Sequence, residues 1–465
     1  MSKINVLFPV ETTNRELDFR LFLASLFAKP GNRIFVGQHD VIFGLARQMH
    51  GGLYVGKHLF RQLPEFGDYA RYRALKRNRF TIIHLDEEGG VYDGDEEKWR
   101  WWLLKMQFDP RCLEADDYVC TWGTFQRDFY RSLDPKCARN IIATGHPRFD
   151  LYKPAYRAFF DDDKRRIQER FQEFILVNTN LGYVNNCLGL EDSFSSRVGY
   201  DPAKPDKRLN CVERYAAEGT MLLSFVKLIH RLSVEFPGVN IVLRPHPSEN
   251  IAYYRTVFRG VPNVHVVREG PVGAWLLACK LLIHDGCTTG IEAFLADTSI
   301  INYKSALHTK YELFLPNIFG VKCFTEEEVM LKVNAMLKAE KGVPPQAEFT
   351  DDAYALMANF RSDSFKLLLE AMNQAESGQA DVPQLCHTAR VRTEEVVRTM
   401  TAAAKSLVRP FFPARHRRYQ ALGSHFGRFD RGTIRRKLSI IEKIVGRRVT
   451  PVFYSNALFS LELEP

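Results

Sequence analysis

Short apolar runs alternate with amphipathic helical stretches over the first 305 residues of the chain. In the first half, the runs predict strands over residues 4–10, 33–37, 81–85, 118–121 and 140–144, with helical patterns between them. The alternation restarts with predicted strands over 174–178, 239–244, 264–268, 280–284 and 299–303, and helices over 219–235 and 288–296. Strands separated by helices indicate parallel sheets covered on both faces, so the pattern predicts an α/β fold.

The charged segment 151–172 separates the two series of strands and is typical of a helical connector. We therefore predict two Rossmann-like domains facing a cleft, over residues 1–150 and 173–345. From about residue 345 the pattern becomes polar and helical, which predicts a helical extension over 346–465. Functional sites in parallel sheets lie at the carboxyl ends of the strands, and candidate residues are sought there.

Composition agrees with a globular protein of two or three domains, with 465 residues, 45% hydrophobic and 26% charged. The nine cysteines include no C-x-x-C pair, and the N-terminus lacks a signal-peptide pattern, so we expect a cytoplasmic protein with free thiols. The net charge of +9 is concentrated in residues 401–450, while residues 1–400 carry none. A neutral body argues against a nucleic-acid enzyme, whose basic surface normally surrounds the working cleft.

The end of the strand at 280–284 carries the sharpest candidate site. Asp285 and a glycine turn lead to Thr288 and Thr289, which open the next helix, with Glu292 one turn further on. Backbone N–H groups and two hydroxyls at such a position suit a phosphate, and Glu292 suits a ribose hydroxyl. The alternative interpretation is that Thr288 is a helix cap only.

Two further motifs end strands in the two halves. Arg244-Pro245-His246-Pro247 presents one imidazole on a rigid backbone beside a permanent cation, which suits phosphate binding or protonation of a leaving group. Glu87 and Glu88, before two glycines, offer a carboxylate as general base toward an acceptor hydroxyl. A structural histidine in a proline-bounded turn and a solvated charge run are the respective alternatives.

Smaller polar features end the other strands. They are Glu11 and Arg15 after the first strand, Arg148 and Asp150 after the fifth, and Asn178 and Asn180 after the sixth. The amides are suited to read a base or a sugar, and Arg148 or Asp150 suits either the cleft or an interdomain salt bridge. No spaced His and Asp ligands accompany the acids, so no metal or other cofactor is expected.

These segments together resemble the surface-carbohydrate biosynthesis proteins among polysaccharide assembly enzymes, such as those of capsule and O-antigen. The resemblance covers residues 4–305 and rests on 8–11 with 15–16, 144–150, 178–180, 244–247 and 287–293. More widely, the chain resembles bacterial sialyltransferases and Kdo transferases of GT-B architecture. These share an acidic pair before glycine, a His-Pro motif and a paired hydroxyl, matched here by Glu87-Glu88-Gly89, His246-Pro247 and Thr288-Thr289.

The resemblance implies a metal-independent glycosyltransferase that moves Kdo or a related nonulosonic acid from a CMP-activated donor to a glycan acceptor. Glu88 or Glu87 is then the base, and His246 contacts the donor phosphate and assists departure of CMP. Thr288 and Thr289 hold that phosphate in the second domain, and the first domain faces the acceptor. Retention or inversion stays open, because a double displacement needs a second carboxylate that no motif supplies.

Two other functions remain open from the sequence. A CDP-glycerol-type polyol-phosphate transferase also presents a His-Pro motif and a hydroxyl-bearing helix start, but its chemistry occurs at phosphorus. A non-catalytic assembly protein would keep the fold and lose turnover.

The basic segment 401–450 has two interpretations. Ile434, Leu438, Ile441 and Val445 form the stripe of an amphipathic helix, and an aromatic and basic stretch precedes it over 411–419. Lipid-linked glycan acceptors lie at the inner membrane, so the segment is either a peripheral contact with anionic lipid or a helix packed on the protein.

Overall fold

The computed structural model describes residues 4–57, 69–136, 138–305, 311–339, 351–386 and 428–464, together with residues 393, 397 and 400. Its backbone forms an eight-stranded, mostly parallel sheet and a six-stranded parallel sheet, both flanked by helices, together with a short two-stranded sheet. Within the described ranges, no helix is both long enough and apolar enough to cross a membrane.

The first domain begins with a parallel series of strands and helices. Its elements are β1 (Asn5–Val10), α1 (Thr13–Phe27), β2 (Arg33–Gln38), α2 (His39–Ala46), β3 (Met49–His50), β4 (Gly52–Gly56), α3 (Ala70–Arg77), β5 (Phe80–Leu85), α4 (Glu96–Trp102), β6 (Tyr118–Thr121), α5 (Thr124–Leu133), β7 (Ile141–Ala143) and α6 (Pro147–Asp150). Strands β1, β4 and β5 are buried along their whole length, as expected for a sheet covered on both faces.

The second domain repeats the arrangement after the connector. Its elements are α7 (Asp161–Phe171), β8 (Phe174–Thr179), α8 (Leu190–Ser193), α9 (Pro205–Glu235), β9 (Asn240–Pro245), α10 (Ile251–Val257), β10 (Val264–Val266), α11 (Val272–Ala278), β11 (Leu281–His284), α12 (Thr289–Leu295), β12 (Ser299–Tyr303), β13 (Val321–Cys323) and α13 (Glu326–Lys338). Its six strands are all parallel, in the order β10-β9-β8-β11-β12-β13.

After α13 the chain returns to the first domain. The returning elements are α14 (Asp351–Leu356), α15 (Ser364–Gly378), β14 (Leu385–Cys386), α16 (Arg431–Val445), β15 (Val449–Phe453) and β16 (Leu458–Leu463). Strand β16 pairs antiparallel with β2, so the first sheet has the order β15-β16-β2-β1-β4-β5-β6-β7. Strand β14 pairs with β3, and α16 packs on α1.

This return differs from the predicted separate helical extension over 346–465. The segment does contain helices, but its last strands complete the first sheet. The stripe of Ile434, Leu438 and Ile441 is buried against the first domain. Burial of this stripe favours the second interpretation of α16, a helix packed on the protein. The aromatic and basic stretch 411–419 lies outside the described residues.

The predicted GT-B-like architecture is confirmed in its main features. The predicted strands appear within two or three residues of their expected bounds, and α7 forms the predicted connector. Strands β4 and β13 were not predicted, and α9 begins fourteen residues earlier than expected. The carboxyl ends of β1, β4, β5 and β7 face those of β8, β9, β10 and β11 across a cavity.

Candidate active site

A cavity of about 780 Å³ lies between the carboxyl ends of the two sheets. Eleven of the sequence-predicted site residues line it: Glu11, Arg15, Glu87, Glu88, Arg148, Asn178, Arg244, His246, Thr288, Thr289 and Glu292. Its apolar wall comprises Trp102, Leu151, Tyr152 and Phe160. The cleft predicted from strand ends is therefore present, and it brings most of the candidate residues together.

Two predicted donor-binding residues lie elsewhere. The Asp285 carboxylate turns away from the cavity and lies 2.7 Å from Nζ of Lys304, with which it forms a buried ion pair. Asn180 is exposed one residue beyond the end of β8, whereas Asn178 is buried within the strand. Neither residue lines the cavity, so the structure does not bring these two together with the other candidate residues.

The acidic loop after β5 turns sharply against Trp122. A Cβ atom added to Gly89 would lie 2.7 Å from the Trp122 ring, so a side chain there would push the loop away. The indole Nε1 of Trp122 also donates to the Asp86 carbonyl at 2.7 Å. These contacts fix three successive carboxyl groups, Asp86, Glu87 and Glu88, at the cavity.

Glu87 is buried, and each of its carboxylate oxygens lies close to a nitrogen, although only Oε1 has a hydrogen-bond partner. Oε1 accepts from Arg20 at 3.2 Å, and Oε2 lies 3.2 Å from Nε2 of His146. The imidazole Nδ1 accepts from the backbone N–H of Arg148, so its proton belongs on Nε2, facing Glu87. Burial lowers the pKa of His146 to about 4. The pKa of Glu87 also lies well below its ordinary value: burial opposes this, but His146, Lys57 and Arg20 together prevail.

Asp86 and Glu88 differ from Glu87 and from each other. Asp86 Oδ1 accepts from the backbone N–H of Glu88 at 3.1 Å, while Oδ2 is buried with no hydrogen-bond partner. Burial raises the pKa of Asp86 to about 7. The Glu88 side chain is half exposed and pairs with Arg15 at 3.1 Å; burial in the cleft opposes ionisation, but Arg15 holds the Glu88 pKa below its ordinary value.

A cluster of ion pairs between the start of the chain and the end of β4 holds the acidic loop after β5 in place. Lys57 Nζ lies 2.8 Å from Glu11 and 2.9 Å from Glu16, and Arg20 links Glu16 to Glu87. Burial of charged groups in such a network is tolerated because each has a partner of opposite sign. Glu11 is thus held at the rim by Lys57.

His246 faces the acidic loop from the end of β9. Its Nδ1 accepts from the backbone N–H of Ser248 at 3.2 Å and lies 2.7 Å from the Ser248 hydroxyl. The buried carboxylate of Glu249 accepts from the His246 backbone N–H at 2.8 Å and so fixes the turn. With Nδ1 accepting, the neutral ring carries its proton on Nε2, where it is a donor.

Arg244 and Arg268 hold the loops of the second domain. The Arg244 guanidinium donates to the carbonyls of Glu269 and Gly270 at 2.7 and 3.0 Å and lies over the Trp275 ring. Arg268 donates to the carbonyls of His246 and Glu249 at 3.1 and 2.6 Å. Both cations line the cavity, and burial lowers the pKa of Arg244 to about 10.

The end of β8 and the start of α12 complete the second-domain wall. Thr288 precedes α12 without a side-chain capping bond, so the structure does not support the interpretation of Thr288 as a helix cap only. The Asn178 carbonyl oxygen Oδ1 is buried with no hydrogen-bond partner and is available to a ligand. Burial raises the pKa of Glu292 to about 7, although Arg148 and Arg15 oppose that rise.

Four charged residues that line the cavity are absent from the predicted site: Asp18, Lys57, Asp86 and Arg268. Lys57 follows β4, whose short glycine-flanked sequence gave no strand signal; recognising that strand would have revealed it. Arg268 was treated as the last residue of a strand that ends at Val266. Asp86 directly precedes the predicted pair Glu87 and Glu88, but the sequence provides no measure of its burial, and Asp18 lies within α1 instead of at a strand end. Within the described ranges, no cluster of His, Cys, Asp or Glu is arranged to hold a metal ion.

No protein-family model matches the chain, and no curated protein matches its sequence. Similar solved structures are remote in sequence. They include UDP-GlcNAc 2-epimerase of Methanocaldococcus jannaschii with UDP-GlcNAc and UDP (9% identity, 80% of this chain, 99% of that chain, TM-score 0.43). They also include the wall teichoic acid polymerase TagF H548A (11% identity, 82% of this chain, 90% of that chain, TM-score 0.47). A third is the Neisseria meningitidis UDP-GlcNAc 2-epimerase bound to UDP-GlcNAc (9% identity, 80% of this chain, 100% of that chain, TM-score 0.41). None of these similarities identifies a substrate for this chain.

Proposed function

We propose that the protein is a glycosyltransferase of surface polysaccharide biosynthesis that binds a nucleotide-activated sugar in the interdomain cavity. The proposal rests on one observation: carboxyl groups lie on one side of the cavity, and groups that can bind a phosphate lie on the other. The first domain presents carboxyl groups at the end of β5, and the second presents an imidazole, two hydroxyls and two guanidinium groups. In a direct displacement with inversion, the base and the groups that bind the leaving phosphate lie on opposite sides of the reacting carbon, as these two sets do.

The second domain is the donor side in this proposal. A donor phosphate lies between His246, Thr288 and Thr289. Arg244 and Arg268, which hold the loops of this domain, add positive charge near that phosphate. The Nε2 proton of His246 is directed to the phosphate oxygen whose charge grows as its bond to the sugar breaks. Asn178 Oδ1 and Glu292 accept hydrogen bonds from the sugar or the nucleoside.

The first domain accepts the proton of the acceptor hydroxyl. Glu87 is held by Arg20 and His146, so its role is to position the loop. Asp86 has an unpartnered oxygen at the cavity and a pKa of about 7, which suits exchange of a proton near neutral pH. We assign the base to Asp86, with Glu88 as the competing carboxylate of the same loop. In the reaction the acceptor oxygen bonds to the anomeric carbon, the bond from that carbon to the donor phosphate breaks, and the proton passes to the base.

The donor proposed is a CMP-activated sugar acid, Kdo or a related nonulosonic acid. The sequence motifs that resemble sialyltransferases and Kdo transferases support it, because their residues Glu87, Glu88, His246, Thr288 and Thr289 all line one cavity. The polyol-phosphate transferase and the non-catalytic assembly protein are the competing hypotheses.

Nucleotide binding tests the proposal. Thermal shift or calorimetry with CMP, CDP, UDP and GDP, with and without Mg²⁺, should show selective and metal-independent binding of CMP. A ligand at one hundred times its Kd stabilises the folded protein by about 2.7 kcal/mol, which is readily measured. His246→Ala should lose this stabilisation, whereas Asn180→Ala, outside the cavity, should keep it. Preference for UDP or GDP would overturn the donor class, and absence of any nucleotide binding would favour the assembly protein.

Turnover separates the two transferases, since both release CMP. Incubation with CMP-Kdo and with CDP-glycerol, in the presence of glycan acceptors, should yield product only from CMP-Kdo. Product from CDP-glycerol alone would establish attack at phosphorus. Asp86→Asn and Glu88→Gln then identify the base. A wild-type rate that rises with pH near 7, lost in Asp86→Asn and kept in Glu88→Gln, supports Asp86, whereas loss of turnover in Glu88→Gln alone assigns Glu88.

We also propose that the part of the basic segment 401–450 that precedes α16 contacts the membrane surface, where lipid-linked glycan acceptors lie. The apolar stripe of α16 is buried, so the contact depends on charge. Flotation with anionic vesicles should fall when Arg415, Arg417 and Arg418 are replaced by serine, and flotation should be lost for both proteins in high salt. Equal flotation of the two proteins at low salt would reject the contact.

A further inference from the structure

Five lysine and arginine side chains are buried within the described residues. Four of them have a carboxylate partner: Arg20 with Glu87, Lys57 with Glu11, Lys304 with Asp285, and Lys437 with Asp18. The fifth is Arg148, which is only 4% exposed. None of its described neighbours forms a hydrogen bond or an ion pair with its guanidinium group.

Arg148 instead faces two aromatic rings and the cavity. Its guanidinium carbon lies 5.4 Å from the ring centroid of Trp122 and 4.5 Å from that of Phe149. Its Nε is buried without an acceptor, and the residue lines the cleft between the domains. Burial of an unpaired charge costs several kcal/mol, so such a group is retained where a ligand supplies the missing charge.

Of the carboxylates that affect Arg148 electrostatically, one already forms an ion pair with another residue, and the other is not close enough to form an ion pair with Arg148. Glu88 and Glu292 both respond to the Arg148 charge, yet Glu88 pairs with Arg15, and no ion pair joins Glu292 to Arg148. The cavity therefore leaves room for an external anion beside the guanidinium.

The backbone that carries Arg148 is rigid. Its own N–H donates to His146, whose Nε2 meets Glu87. Two residues later, the buried Asp150 accepts from the backbone N–H of Ser364 and from the Asn359 amide, which ties α6 to the start of α15. A guanidinium held in this way is already oriented before a ligand arrives, which limits the entropy lost on binding.

We propose that Arg148 binds an oxyanion of the ligand that occupies the cleft, a carboxylate or a phosphate, through its guanidinium N–H groups. The assignment rests on the proposed function for the location of the ligand, and it deepens that function by requiring a substrate with an anionic group on the first-domain side. In a CMP-activated sugar acid, the two sources of such a group are the sugar carboxylate and the nucleotide phosphate.

The stability of the unliganded protein provides the first test. Arg148→Met keeps the volume and removes the unpaired charge, so its thermal midpoint should equal or exceed that of the wild type. Lys437→Met and Arg20→Met are matched controls that leave a buried carboxylate without its partner, and both should lower the midpoint. A large decrease for Arg148→Met would show that the guanidinium is structural, held by Trp122 and Phe149, and would overturn the proposal.

Anion binding provides the second test, and it needs no substrate. Sodium phosphate and sodium acetate, at constant ionic strength, are titrated into the wild type, Arg148→Lys and Arg148→Met while the thermal midpoint is followed. The wild type should be stabilised in a saturable manner. Arg148→Met should bind the anion about tenfold more weakly or worse, with Arg148→Lys between them. Equal stabilisation of the wild type and Arg148→Met would overturn the proposal.

The pattern of anions identifies the source. A response to both phosphate and acetate in the wild type, lost in Arg148→Met, indicates a site for the sugar carboxylate. A response to phosphate alone indicates the nucleotide phosphate. Failure of the proposed function would give a different result. If the protein binds no nucleotide but still shows an Arg148-dependent response to anions, the anion site is supported and the CMP-activated donor is rejected.

Discussion

Three adjacent acidic residues of the cleft have three different electrostatic environments. Glu87 is buried between Arg20 and His146, Glu88 makes one half-exposed ion pair with Arg15, and Asp86 has a buried oxygen without a hydrogen-bond partner. Chemically similar side chains are therefore suited to different tasks: Glu87 to hold the loop, and Asp86 or Glu88 to exchange a proton. Substitutions along this loop should separate stability from activity.

Glu87→Gln should destabilise the protein by about 3 kcal/mol, because it removes the charge that balances buried Arg20 and sets an amide N–H group toward His146. Glu88→Gln, the matched control one residue away, should change stability by less than about 1 kcal/mol, as is usual for exposed pairs. Urea unfolding of the three proteins measures both effects. Equal losses for the two variants would contradict the assignment of Glu87 as the structural carboxylate.

Asp86 should make stability depend on pH. Its folded-state pKa of about 7 lies above the ordinary value, so the folded protein keeps a proton that the unfolded chain loses between about pH 4 and 7. Stability should therefore fall as pH rises through this window. Glu292, with its pKa also raised to about 7, adds to the same trend.

Asp86→Asn should accordingly exceed the wild type in stability above pH 7, with the difference shrinking toward pH 4. Urea unfolding from pH 4.5 to 8.5 measures the difference, and Asp86→Asn with Glu292→Gln should flatten the profile further. A gap that is constant with pH would show that the Asp86 carboxyl group titrates normally.

Sequence predicts the chemical identity of the site residues better than their roles. Strand ends located eleven residues at the cavity, because parallel strands direct their following loops to one edge. Asp285 lies outside the cavity because it pairs with Lys304, which is nineteen positions later, just beyond the end of β12, and only the folded chain brings the two together. The choice among Asp86, Glu87 and Glu88 depends on Arg20 and His146, which are distant in sequence.

At the scale of single elements, α16 shows how an amphipathic and basic pattern can mislead. Its apolar stripe lies against α1, Lys437 pairs with Asp18, and Arg447 donates to the carbonyl of Leu26. The stripe thus contributes to the core of the first domain, while the remaining cations stay at the surface.

Ile441→Ala in α16 should cost about 3 kcal/mol, since it leaves a cavity in this core. Lys443→Ala, on the exposed face of the same helix, should change stability by no more than about 0.5 kcal/mol. Chemical unfolding of both variants measures the contrast. A neutral Ile441→Ala would mean that the stripe does not pack as described.

Elements with strong local patterns were predicted, and those that depend on distant partners were not. Strand β4 has only five residues, the first and last of which are glycines, yet β1 and β5 pair with it on either side. The hairpin of β15 and β16 contains a proline and acidic residues, and its place is set by β2, more than 400 residues earlier.

At the scale of the whole molecule, the chain crosses between the domains twice. Residues 151–172 lead to the second domain, and the chain returns after α13 to add α14, α15, α16 and the hairpin to the first. The second domain is continuous in sequence, whereas the first is assembled from both ends of the chain.

A fragment of residues 161–339 should therefore fold cooperatively, and a fragment of residues 1–150 should not, because it lacks the helices and strands that cover its core. Circular dichroism and urea unfolding of the two fragments distinguish these outcomes. A cooperative transition for residues 1–150 would show that the returning segments are dispensable.

The pairing of β16 with β2 also has a consequence for biosynthesis. On the ribosome, β2 emerges early, yet its outer edge stays open until residues 449–463 have left the exit tunnel. An open strand edge readily pairs with other chains. The nascent protein should consequently depend on chaperones until β16 has been synthesised, and chains that stall before β16 should be removed by proteases.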